Sequence, residues 1–125
     1  LEYLQINEPL SLEEIENSRV SKEQHDVHCK ATIVWHGKRM EIEGVGNGPI
    51  AAFCNALEQN RIKDFHLEHF SQHAIGTGAR TESVAYIQIR SPKGKTWFGS
   101  AIDSNIELAS LRALISAYNR SQRYP

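Results

Sequence analysis

A chain of 125 residues with 40% hydrophobic content suits one compact globular domain and is too short for two ordinary ones. Fourteen basic and fifteen acidic side chains leave a formal charge of −1, so no overall field draws nucleic acid or an anionic membrane. Cys29 and Cys54 are too few for a disulfide framework, no apolar run reaches membrane-spanning length and no segment resembles a signal peptide; the expectation is a cytoplasmic protein with reduced thiols.

In chain order, Leu1 to Asn7 reads as an opening strand, and Leu10 to Gln24, rich in Glu and Ser with little periodicity, as an exposed connection or a loosely held helix. Val27, Cys29, Ala31, Ile33 and Trp35 alternate with polar residues, predicting a strand with one buried face. His36-Gly37-Lys38 reverses the chain, and Arg39 to Val45 completes a hairpin. After Gly44-Val45-Gly46-Asn47-Gly48-Pro49, Ile50, Phe53, Cys54 and Leu57 fall at helical spacing, and that helix should stop near Asn60. Phe65 to Phe70, Ser83 to Arg90 and Thr96 to Ile102 read as three further strands, with a turn at Ser91 to Lys95. Ser104-Asn105-Ile106-Glu107 has capping-box spacing, and Leu108, Leu111, Ile115 and Tyr118 mark a core-facing stripe running to about Asn119.

A shift of 57 residues places Gly37-Lys38 on Gly94-Lys95, Asn47 on Ser104, and Ala52, Ala56 and Leu57 on Ala109, Ala113 and Leu114. The chain therefore reads as one domain, 1–125, built from a duplicated three-strand-plus-helix (βββα) repeat, about 1–61 and 62–125. Mainly antiparallel sheets with helices on one face make it an α+β fold. Trp97, Phe98 and Tyr118 are apolar surface suited to a partner chain, which favours a homodimer.

The glycine-rich turn into a proline-started helix is the leading candidate site. Gly46 and Gly48 allow backbone angles closed to other residues, Asn47 or Gly48 can cap, and free N–H groups at a helix start can hold a carboxylate or phosphate. The alternative is a merely tight strand-to-helix connection. The turn has neither the dinucleotide order of glycines nor a phosphate-loop lysine. His66, His69 and His73 would line one side of a helix, but on a strand His66 and His69 are expected on opposite faces, and no Cys or Asp completes a metal set. No serine sits in a nucleophile elbow and neither cysteine has a local activating base, so catalysis by this chain alone is not expected. The segment His73-Ala74-Ile75-Gly76-Thr77-Gly78-Ala79 reads as a small-residue loop, open to a ligand or another backbone. Backbone donors at one end and Ile50, Leu67, Phe70 and Ile106 at the other suit a small amphiphile shaped like a branched-chain amino acid.

Four separated blocks resemble the C-terminal regulatory domain of 2-isopropylmalate synthases: Gly44 to Phe53, Gln72 to Gly78, Val84 to Ile87, and Ile106 through Ala109-Ser110-Leu111-Arg112-Ala113 to Arg120. The resemblance covers most of the chain and implies a dimerising domain that binds leucine as a feedback inhibitor. By position it implies that Gly46, Asn47, Gly48, Ile50 and Ala51 receive the polar end of the amino acid. Leu67, Phe70, Ala74 and Ile106 would line the pocket for its side chain. Thr81 and Ser83 stand near that pocket where the family usually carries alanine, and Phe70 where tyrosine is common. It further implies a parent acyltransferase that condenses acetyl-CoA with 3-methyl-2-oxobutanoate on a TIM barrel. That barrel, with its divalent metal, is expected upstream of Leu1, and no cofactor is expected in this domain. Two alternatives accompany this reading: the isoleucine-sensing domain of citramalate synthase, and a dimerisation module that has lost its effector. A stand-alone enzyme using the histidines is the weakest.

Overall fold

The computed structural model describes residues 9–19, 26–63, 65–76 and 82–124. Each of its two compact units is an antiparallel three-stranded sheet followed by a helix, so the α+β duplication holds. The first unit, Leu10–Lys63, contains β1 (Leu10–Arg19), β2 (Val27–Trp35), β3 (Lys38–Gly46) and α1 (Pro49–Gln59). The second, from Asp64 onward, contains β4 (His66–Ile75), β5 (Glu82–Arg90), β6 (Thr96–Asp103) and α2 (Ile106–Arg123). In each sheet the middle strand is the second, so among the described residues the first and third are edges.

The hairpin turns follow from local chemistry. His36 and Gly37 both take positive φ (49° and 79°), the two-residue geometry whose twist matches the flanking strands. Gly94 (φ 89°) closes the longer loop, where the Ser91 N–H donates to the Lys95 carbonyl at 2.8 Å. The first helix ends as its sequence predicts, with Asn60 as C-cap. Arg61 then turns left-handed (φ 66°), and the N–H groups of Arg61 and Ile62 return to the carbonyls of Glu58 and Leu57, with Ile62 buried against the core.

Two expectations change. Leu10–Arg19 is a strand, not a connection or a loose helix, and it pairs with β2 in the sheet of the first unit; the opening strand foreseen at Leu1 to Asn7 lies outside the described residues. Its alternation is hidden by a bulge between Leu12 and Glu14, where Glu13 is the extra residue. The side chains sharing the face of buried Cys29, Ala31 and Ile33 are therefore Leu10, Leu12, Ile15 and Asn17, spaced two, three and two apart, which no single period fits. Strand β4 carries a similar bulge between Leu67 and His69 and runs to Ile75, so His73, Ala74 and Ile75 belong to a strand and not to a loop.

That second bulge also reverses the histidine expectation. His66 lies opposite Arg90, His69 opposite Gln88 and His73 opposite Val84, and directly opposed residues share a face; all three histidines project from the same side of the sheet. The α2 side of β4 is fixed independently, because Ser110 on α2 donates to Gln72 at 3.3 Å.

Each helix is held unusually close to its sheet. A methyl group at Gly44 would meet the Ala52 carbonyl at 2.5 Å and the Ala56 amide; at Gly46 it would meet the Ala52 amide at 2.5 Å. Gly99 performs the same service in the second unit, against the carbonyl of Ala113 and the amide of Ala117. Around these points lie Phe53, Ala56 and Leu57 in one core and Ile87, Ile89, Ala113 and Leu114 in the other, all buried. The Asn55 side chain further ties α1 to edge strand β3 by donating to the Val45 carbonyl at 2.6 Å.

Replacing Gly44 or Gly99 by Ala should therefore destabilise the fold by about 1–3 kcal/mol or more, since main-chain atoms cannot move aside as a side chain does. Gly48→Ala, whose added methyl meets nothing within 4 Å, should cost under about 1 kcal/mol. Chemical denaturation midpoints of the three variants check the ranking.

Candidate functional site

The turn Gly46-Asn47-Gly48 leads from β3 into α1, with Gly48 as N-cap and Pro49 as the first helical residue. Neither Gly46 nor Gly48 uses a positive φ; Gly48 is extended at φ −174°, so conformational freedom is not what these glycines supply. Gly46 is there for the close approach to Ala51 and Ala52, while Gly48 faces open space. Asn47 is exposed, and Ile50 and Ala51 are half-buried in the first turn.

The two helix starts differ although the units are duplicates. In α2, the Asn105 side chain accepts from the N–H groups of Glu107 (2.9 Å) and Leu108 (3.1 Å), and Asp103 accepts from the Asn105 N–H. The cap is thus Asn105, one residue later than the capping-box spacing from Ser104 implied. Glu107 adds an acid to the first turn and Arg120 and Arg123 bases to the last, both favourable to the helix dipole. In α1 no side chain caps Gly48, no acid stands in the first turn, and Pro49 has no N–H. The first N–H of α1 to return to the turn is that of Ala52, which donates to the Gly48 carbonyl at 2.9 Å; those of Ile50 and Ala51 precede it.

The apolar candidates lie in the second unit. Helix α2 packs on β5 and β6, and the α2-side face of edge strand β4 stays exposed. Leu67 pairs with Ile89, Phe70 with Ile87 and Ala74 with Ser83, so the candidates Leu67, Phe70, Ala74 and Ser83 share that face. Leu67 and Phe70 are 42% and 39% exposed. Ile106, the first residue of α2, is also exposed, whereas Ser83 is buried opposite Ala74. The structure thus groups Leu67, Phe70, Ala74 and Ser83 on one sheet face, and Gly46 to Ala51 in the other unit; Thr81 lies outside the described residues.

Other chemistry is sparse. Among the described residues no three His, Cys, Asp or Glu side chains come together as a metal site. No helix of the structure is long and apolar enough to cross a membrane. Burial pushes the Cys54 thiol from 9.0 up to about 12, and the charge of Glu58 one helical turn on adds to the shift, so this cysteine is a poor nucleophile. A groove of about 450 Å³ is lined by His28, Glu43, Val45, Asn55 and Glu58, with His28 3.5 Å from Glu43, on the first unit alone.

Together these features define a duplicated βββα domain whose first unit has an uncapped helix start and whose second unit has an exposed aliphatic strand face. A family model described as the LeuA allosteric (dimerisation) domain matches residues 1–122, and the chain belongs to that family. It is 38% identical over 126 residues to the 2-isopropylmalate synthase of Clostridium acetobutylicum, covering 97% of this chain and 22% of that protein. The enzymes of the same name from Corynebacterium glutamicum (strain R) and Agrobacterium fabrum are 35% and 39% identical, over 96% and 72% of this chain and 19% and 16% of theirs. The chain spans about a fifth of the length of these curated relatives.

The raised thiol has a measurable consequence. Near pH 8, Cys54 should react with a thiol reagent roughly a thousandfold more slowly in the folded chain than an ordinary cysteine. Between about pH 9 and 12 the unfolded chain loses a proton that the folded chain keeps, so this group's contribution to stability falls as pH rises through that window. Stopped-flow labelling and alkaline denaturation of the wild type against Cys54→Ala check both.

Proposed function

We propose that this domain is the sensor of a 2-isopropylmalate synthase: a homodimer that binds leucine and feeds that signal back on an acyltransferase carried elsewhere in the same protein. The observation that carries the proposal is the contrast between the two helix starts, one closed by its own Asn105 and the other left with main-chain amides for a carboxylate. In this reading the N–H groups of Ile50 and Ala51 hold the carboxylate, and Gly46, Asn47 and Gly48 shape the turn. By resemblance, Leu67, Phe70, Ala74 and Ile106 receive the aliphatic chain, and Thr81 and Ser83 are assigned beside them by sequence position.

Removing an isobutyl group from water contributes on the order of 2 kcal/mol, enough for a metabolite sensor once the charged ends are held. Feedback then needs leucine to favour one arrangement of the dimer over another by about 1–3 kcal/mol; a ligand that bound both equally would shift nothing. The domain uses no metal in this task. The divalent cation and the acetyl-CoA and 2-oxo acid chemistry belong to the catalytic barrel, and the whole works in the cytoplasm, where Cys29 and Cys54 stay reduced.

Ser83 is a buried hydroxyl directly opposite Ala74, and it motivates a second reading in which the effector is isoleucine, as for a citramalate synthase. Calorimetric titration with leucine, isoleucine and valine separates the two. Leucine should give heat and raise the melting temperature, with no change on adding a chelator. Gly48→Asp, which sets a carboxylate over the open amides, should weaken binding at least tenfold while leaving the fold intact. Heat from isoleucine alone would favour the second reading, and silence from all three would leave a dimerisation module without an effector.

A further inference from the structure

The outer faces of the two sheets, turned away from their helices, have diverged. In the first unit one row across the outer face is Glu16, Lys30, Glu43, and the row beside it is Glu14, Thr32, Glu41. In the second unit Ser100 stands 57 positions after Glu43 and Phe98 the same distance after Glu41, and their rows are Ser71, Tyr86, Ser100 and His69, Gln88, Phe98. Where the first sheet repeats carboxylates, these rows of the second have none. The duplicated architecture does not require them.

A groove of about 370 Å³ runs over this face of the first unit, lined by Glu14, Glu16, Lys30, Thr32 and Glu41. Thr32 is its floor. Only 9% exposed, this side chain carries a hydroxyl with no hydrogen-bond partner among the described residues, and it stands between Glu14 on one neighbouring strand and Glu41 on the other. A buried hydroxyl left unpaired costs free energy that a guest can recover. The charges above it are equally unengaged: none of Glu14, Glu16, Glu41 and Lys30 forms an ion pair among the described residues.

The lining selects its guest. Three carboxylates to one ammonium turn an anion away. Among the described residues no three acidic or histidine side chains come close enough together for a metal ion, and the volume is that of a small organic molecule. An alkylammonium fits, because its three N–H donors match the Thr32 hydroxyl and the carboxylates of Glu14 and Glu41. The row of Lys30 sets a lysine between two carboxylates; in the row of Thr32 the middle side chain is too short to supply that charge itself. The two rows lie roughly 7 Å apart along the strands, so a second ammonium a few methylenes from the first meets Glu16. We propose that this groove binds a linear polyammonium ion, with one ammonium on Thr32 between Glu14 and Glu41 and the next beside Glu16. The site is on the sheet face turned away from α1 and does not depend on the leucine reading.

Calorimetric titration of the chain with spermidine tests it. The wild type should give a saturable isotherm with one spermidine per chain, and Glu14→Gln and Glu41→Gln should each raise the dissociation constant at least fivefold. Thr32→Val, which leaves the charge unchanged, should raise it at least threefold, and Thr32→Ser, which keeps the hydroxyl, should bind as the wild type does. Glu58→Gln is the control: it removes one negative charge from the same unit but outside the groove, and its affinity should be that of the wild type. Far-ultraviolet spectra check that each variant is folded; should Thr32→Val lose its fold, the two glutamine variants against Glu58→Gln decide. A titration without saturable heat at millimolar spermidine, or a folded Thr32→Val chain that binds undiminished, overturns the proposal. So does a Glu58→Gln chain weakened as much as Glu14→Gln, because diffuse charge alone then holds the polyamine. Magnesium chloride that displaces spermidine better than sodium chloride of equal ionic strength overturns it in favour of a metal site.

Discussion

Main-chain contact between helix and sheet is the constraint on which each unit is built. At Gly44, Gly46 and Gly99 the strand presents no side chain, and the facing helix lays its own amides and carbonyls where a Cβ would otherwise sit. The helix answers with small residues at the contact, Ala51, Ala52 and Ala56 in α1 and Ala113 and Ala117 in α2. Larger apolar side chains, Phe53, Leu57, Leu111 and Leu114 among them, then fill the space beside the contact, so one steric condition sets both the seating of the helix and the shape of the core.

From that seating follows what each unit leaves open. Because α2 sits over β5 and β6, the edge strand β4 keeps an uncovered face where Leu67, Phe70 and Ala74 line up. Because Gly46 draws the start of α1 tight onto β3, the turn that follows must be short, and it arrives at the helix without a capping side chain. Duplication makes these features interpretable. Where the two copies of one architecture differ, as at the caps Gly48 and Asn105 or in the rows Glu16-Lys30-Glu43 and Ser71-Tyr86-Ser100, the shared scaffold cannot be the cause of the difference.

Strands and helices with an unbroken period were legible in the sequence. The hairpin from Val27 to Gly46, the stops of α1 near Asn60 and of the hairpin turn at Gly94, and the repeat itself all follow from spacing that a reader of the chain can count. The edge strands were less so: one inserted residue at Glu13 in β1 and one at the Leu67 to His69 step in β4 break the alternation. The second of these insertions also carries His66 onto the face of His69, against the expectation from a regular strand.

By itself the sequence determined what depends on neighbours along the chain: the order βββα twice over, the turn chemistry, the helical stripes and the blocks that mark the family. Only the tertiary structure decided which face each side chain joins, that Gly46 serves close packing while Gly48 is an open cap, and that one outer sheet face carries charged rows while the central rows of the other carry none. The reason is physical. Periodicity and turn propensity act over a few residues, whereas a bulge, a helix-to-sheet distance and a cross-strand row are set by partners far away in the chain, and no local pattern encodes them.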